Sequence, residues 1–68
     1  MKKSNKIKGY RVMLGKTQEE MALELGISTQ SYHNKENGYV SFKDSEKMAI
    51  KSLLLPLFPN ITLEDIFF

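Results

Sequence analysis

Apolar residues along this chain recur at helical spacing. Ile7, Tyr10 and Leu14 fall at i, i+3 and i+7, on one side of a helix expected from about Ser4 to Leu14, with Gly15 as its stop. Met21, Ala22 and Leu25 form a second inward stripe. It is preceded by Thr17-Gln18-Glu19-Glu20, the sequence of a capping box, in which a threonine hydroxyl and a glutamate three residues on satisfy each other's backbone amides. Gly26 ends that helix, Ile27 is an apolar plug and Ser28 is a good N-cap for a third helix. The third helix turns Tyr32 inward and stops near Asn37-Gly38. A fourth is expected from Asp44, read as its N-cap, to about Leu55. Pro56 and Pro59 forbid continuation and predict an extended connection from Pro56 to Ile61. Thr62 and Asp65 then cap a last short helix ending in Ile66-Phe67-Phe68. No segment alternates as a strand does, and there is no internal repeat. The expectation is an all-α fold of five helices around one core, a single domain over residues 1–68 with residues 1–4 as a flexible basic arm.

The third helix has an unusual surface. Its outward positions are Thr29, Gln30, Ser31, His33 and Asn34, short hydrogen-bonding side chains with almost no charge. A solvated helix face normally carries lysine and glutamate. Neutral donors and acceptors suit the edges of DNA bases, and helix, glycine-containing turn, helix is the arrangement whose second member enters the major groove. Gln30 and Asn34 are four residues apart on one face, and each amide has the donor and acceptor needed for bidentate pairing with adenine. Thr29 can hydrogen-bond or set its methyl against thymine, and His33 can donate to guanine or to phosphate. The competing reading of each is an ordinary exposed polar side chain.

The ordered set Arg11, Thr17-Gln18-Glu19-Glu20-Met21-Ala22, Leu25-Gly26-Ile27-Ser28, Gln30, Tyr32 and Glu36-Asn37-Gly38 resembles the small helix-turn-helix proteins of the phage Cro and repressor (Xre-like) family. The segment Ile61-Thr62-Leu63-Glu64-Asp65-Ile66-Phe67 resembles the last helix of members from Gram-positive phages and their relatives. The resemblance, from about Ile7 onward, implies a lambda-repressor-like domain whose helix near 28–37 reads bases. It also implies that Gln18 and Asn37 grip phosphates, and that Arg11 pairs with Glu36 to hold the third helix on the scaffold. Lys16, Lys35, Tyr39 and Lys43 are further backbone candidates by position. Two residues depart from the pattern: Lys16 stands where Leu is usual, and Lys35 where Ile or Leu is usual. Either stem can cover apolar surface while its ammonium reaches water, and Lys35 is expected beside the DNA backbone.

Charge and composition narrow the classes. Net charge is only +2, but Lys2, Lys3, Lys6, Lys8, Arg11 and Lys16 all precede the first acid, Glu19. Such an arm can release counterions from phosphates, or simply solubilise the chain. With no cysteine, disulfide and thiolate zinc frameworks are excluded, the lone His33 cannot build a metal site by itself, and no metal is expected. No apolar run approaches a membrane span, and Leu53-Leu54-Leu55 is cut off by Pro56. No cofactor, small-molecule ligand or membrane is expected, and the location expected is the cytoplasm of a bacterial host. Enzymatic activity finds no support: Glu19 and Glu20 point apart, and Ser31 cannot meet His33 at that spacing on a helix.

Half-sites about 34 Å apart are normally bound by a two-fold dimer. Leu57, Phe58, Phe67 and Phe68 are the contact candidates, within a surplus of apolar residues that includes Leu55, Ile61 and Ile66. The function expected is a transcriptional regulator, Cro- or repressor-like, of phage or prophage origin, that binds double-stranded operator DNA as a homodimer. Two alternatives stand beside it: an antirepressor that binds a partner repressor protein, and a toxin–antitoxin or mobile-element regulator.

Overall fold

The computed structural model describes residues 6–68. The expected start of the first helix at Ser4, and the arm with Lys2 and Lys3, lie outside the described residues. Five helices follow in order: α1 (Lys6–Leu14), α2 (Gln18–Leu25), α3 (Thr29–Glu36), α4 (Asp44–Leu54) and α5 (Leu63–Phe67). No strand occurs among the described residues.

The corners between helices are set locally. Thr17 Oγ1 accepts the Glu20 amide at 3.1 Å and Glu20 returns its carboxylate to the Thr17 amide at 2.8 Å, so the capping box is complete. Thr62 and Asp65 make the same reciprocal pair ahead of α5. Three helix ends share one motif. After α2, the Gly26 amide donates to Leu23 and the Ile27 amide to Ala22. Gly15 and Lys16 repeat this after α1, and Gly38 and Tyr39 after α3. Each closure needs a left-handed residue, which glycine adopts without a Cβ clash, and Gly26 has φ 71°.

Two expectations are corrected. Asp44 is the first residue of α4, not its cap: extended Lys43 holds the cap position, and the Glu46 carboxylate accepts its amide at 2.8 Å. Asp44 still lies in the first turn, where the helix dipole favours an acid. The stretch from Pro56 to Ile61 is not extended. The Leu54 carbonyl accepts the amides of Leu57 and Phe58, and the Phe58 carbonyl accepts that of Ile61, giving two successive turns. Proline removes one ladder donor, but its fixed φ suits a turn.

The core draws on four of the helices and on the loops between them: Met21 and Ala22 from α2, Tyr32 from α3, Phe42 from the loop after α3, Ile50 and Leu54 from α4, Ile61 from the loop before α5, and Ile66 from α5. Ile7, Tyr10 and Leu14 of α1 pack at its edge. Burying each large apolar side chain contributes about 1.5–3 kcal/mol, so this small set is the main stabilising term. Tyr32, Phe42 and Phe67 form an edge-to-face row with centroids 6.1 and 5.6 Å apart. Phe42 thereby anchors the loop after α3. No buried side-chain polar atom among the described residues lacks a hydrogen-bond partner.

Candidate nucleic-acid interface

The inner side of α3 is tied down by one carboxylate. Glu36, whose side chain is 2% exposed, accepts four hydrogen bonds. Arg11 Nε and the Tyr32 hydroxyl donate to Oε2, each at 2.8 Å. Gln18 Nε2 donates to Oε1 at 2.8 Å and Arg11 Nη2 at 3.5 Å. Arg11 also donates to the Lys16 carbonyl at 2.9 Å. Helices α1, α2 and α3 therefore meet at a single side chain. Burial alone would raise the Glu36 carboxyl, but the bonds from Arg11, Gln18 and Tyr32 outweigh it and hold it below the ordinary carboxylate range. Burial, and then Glu36, push the Tyr32 phenol upward.

The outer side of α3 has no such anchoring. Thr29 and Gln30 are exposed, and Gln30 Nε2 donates to Asn34 Oδ1 at 3.1 Å. The two amides lie side by side, bonded to each other. Ser31 and His33 are half-buried. The His33 ring lies 3.4 Å from Gln18 Oε1, and Asn37 Nδ2 donates to the His33 carbonyl at 2.8 Å. Gln18, His33 and Asn37 thus form a polar chain from the start of α2 to the end of α3. Beyond it, Tyr39 is largely exposed and Lys43 is exposed. Lys16 is half-buried with its ammonium 3.4 Å from Glu24.

Lys35 corrects its expectation. Its ammonium does not stand free beside a backbone; it donates to both oxygens of Glu46 at 2.7 and 2.8 Å, with side chains only 9% and 6% exposed. The stem is buried, and α4 supplies an acid at its end. The sequence reading overlooked Glu46 and the Tyr32 hydroxyl. Both had a signal: Glu46 is three residues after the Lys43 cap, and Tyr32 is four before Glu36.

Of the dimer candidates, Phe58 packs on Tyr10 with centroids 5.8 Å apart and Phe67 on Phe42, whereas Leu57 and Phe68 are exposed. The Lys47 ammonium lies 5.3 Å from the Phe68 ring centre.

A family model described as helix-turn-helix matches residues 7–49, from the first turn of α1 into α4. The chain belongs to the Cro/C1-type helix-turn-helix family. No curated protein and no solved structure gives a significant match. This helix-turn-helix protein is therefore a DNA-binding transcription regulator of the Cro/C1 type, with a lambda-repressor-like fold. Its family binds DNA and is not an enzyme family. In helix-turn-helix terms α2 is the helix that crosses the backbone and α3 the recognition helix. No described helix is long and apolar enough to cross a membrane.

Proposed function

We propose that this helix-turn-helix protein acts as one domain in the bacterial cytoplasm and regulates transcription by binding operator DNA as a homodimer. In this reading α3 lies in the major groove and Thr29, Gln30, Ser31, His33 and Asn34 read base edges. Gln18, Asn37, Lys16, Tyr39 and Lys43 hold the sugar-phosphate backbone. Gln18 has one amide hydrogen directed to Glu36, which leaves a second for a phosphate at the start of α2, where helix amides favour an anion. Arg11 and Glu36 keep α3 at its angle rather than touching DNA. Leu57 and Phe68 are the exposed part of the dimer contact, with Phe58 and Phe67 behind them.

The observation that carries this reading is the outer face of α3. Thr29, Gln30, Ser31 and Asn34 bond to no other helix through their side chains, Gln30 and Asn34 bond only to each other, and His33 alone reaches α2, at Gln18, although α3 is otherwise tightly held. Selection of bound duplexes from a random pool tests it. A recurrent, two-fold-symmetric sequence with half-sites one turn apart is the expected result, with affinity that falls steeply as salt is added. A pool that never converges refutes it.

A second reading is an antirepressor that binds a partner repressor. The near-neutral recognition face and the exposed apolar pair Tyr39 and Val40 beside it support that reading. Tight capture of a repressor, with no duplex retained at low salt, would favour it over the first.

A further inference from the structure

We infer that Lys35 and Glu46 are a positioning pair for DNA reading: the recognition helix and the loop after it are set in register by one buried carboxylate. The inference rests on the reading that α3 contacts bases. Lys35 and Glu36 are neighbours in sequence but are held on different sides, Glu36 by α1 and α2 and Lys35 by α4. The Glu36 clamp and the buried Tyr32 ring hold the inner side of α3 but tie none of its polar side chains to α4. Lys35 adds that tie, through both oxygens of Glu46.

Glu46 does more than receive Lys35. Its Oε1 also accepts the Lys43 amide at 2.8 Å, which ends the loop 37–43 and starts α4. That loop carries Asn37, Tyr39 and Lys43, the residues proposed to meet the backbone. Phe42 pins the same loop into the aromatic row. The carboxylate therefore fixes the base-reading helix relative to the backbone-holding loop. Base contacts need heavy-atom positions within a few tenths of an ångström, because hydrogen bonds weaken steeply with distance and angle.

An apolar residue at 35 would fill the space without this connection. A buried ion pair is an uncertain source of stability, and its replacement by apolar side chains is often neutral or favourable. Stability and positioning can therefore be separated experimentally. The test uses the whole chain, the duplex selected by the wild-type protein, and a shuffled duplex of equal length. Lys35→Met combined with Glu46→Leu is expected to fold, to melt somewhat below the wild type because the Lys43 amide loses its acceptor at the start of α4, and to keep the wild-type salt slope. Its preference for the selected over the shuffled duplex should fall by about fivefold or more, the low end of what one bidentate base contact is worth. Lys35→Arg, which keeps a charged donor for Glu46, should retain most of the preference.

A folded double variant with undiminished preference overturns the proposal. So does a salt slope shallower by about one with preference intact, which would make Lys35 a phosphate contact instead. Should the double variant not fold, Lys35→Gln carries the test: it leaves Glu46 a single neutral donor, and unchanged preference there overturns the proposal equally. A wild-type protein that shows no preference at all refutes base reading itself, and the positioning role falls with it.

Discussion

The Tyr32 hydroxyl donates to Glu36 Oε2 at 2.8 Å from one helical turn away, deep in the protein. Through this bond the largest core residue of α3 and the carboxylate that binds Arg11 are parts of one network. Glu36→Ala would leave the Tyr32 hydroxyl, the Arg11 guanidinium and the Gln18 amide without their acceptor. The expected loss is about 3 kcal/mol, the lower end for a broken buried pair because Arg11 keeps an edge in water. Urea denaturation followed by circular dichroism measures it. A loss under about 1 kcal/mol would mean that water takes over the acceptor role.

Acid should loosen the fold through two carboxyls. Burial opposes the charge on Glu36 and Glu46, yet their hydrogen-bonded cations and amides hold both below the ordinary 4.5. The unfolded chain therefore takes up protons first. The stability these groups contribute is complete above pH 4.5 and drains away as the pH falls through their lower folded values. Tyr32 works in the opposite direction: its phenol is raised above 10.0, so its contribution is complete below pH 10.0 and is lost as the pH climbs past it. Urea midpoints across the pH range should show a plateau with both edges, and Glu36→Gln should blunt the acid one.

Base reading and backbone holding should separate by mutation. Gln30→Ala with Asn34→Ala should cost about 1–3 kcal/mol of discrimination per lost contact and leave the salt dependence unchanged. Lys43→Gln should weaken all duplexes alike and reduce the salt slope by about one. Titrations of the selected and shuffled duplexes at several salt concentrations check both.

Core and surface apolar residues near the C-terminal end should respond differently. Leu54 is fully buried, so Leu54→Ala should cost about 2–5 kcal/mol of stability. Leu57 is half exposed, so Leu57→Asp should leave stability almost unchanged and weaken self-association. Thermal melts and sedimentation equilibrium distinguish the two effects. A dimer that survives Leu57→Asp combined with Phe68→Asp would place the contact elsewhere.

The helices were legible wherever the signal was local. Thr17 with Glu20, Ser28, Gly26, and Thr62 with Asp65 each act over three or four residues, and all stand as the sequence reads. What was illegible depended on distance along the chain. Lys35 meets Glu46 across a loop of irregular backbone, and nothing near Lys35 indicates an acid on α4. Cap position also misled: Asp44 is the better N-cap residue type, but the carboxylate of Glu46 caps from inside the helix, so any extended residue serves at 43. Around Pro56 the prolines showed where α4 stops but not how the chain turns afterward. In the interface, the outward amides of Gln30 and Asn34 were evident from spacing, whereas the inward bond of Gln18 to Glu36 depends on how α2 and α3 meet.

Nothing behind Thr29 and Gln30 leans on them, and the scaffold holds its shape through its apolar core, Glu36, Glu46 and the aromatic row. Their identities are consequently free to drift without penalty to folding. A lineage carrying this scaffold can acquire new target sites by exchanging a few outward letters, and a laboratory library randomised at those positions should yield mostly folded proteins with divergent tastes in DNA.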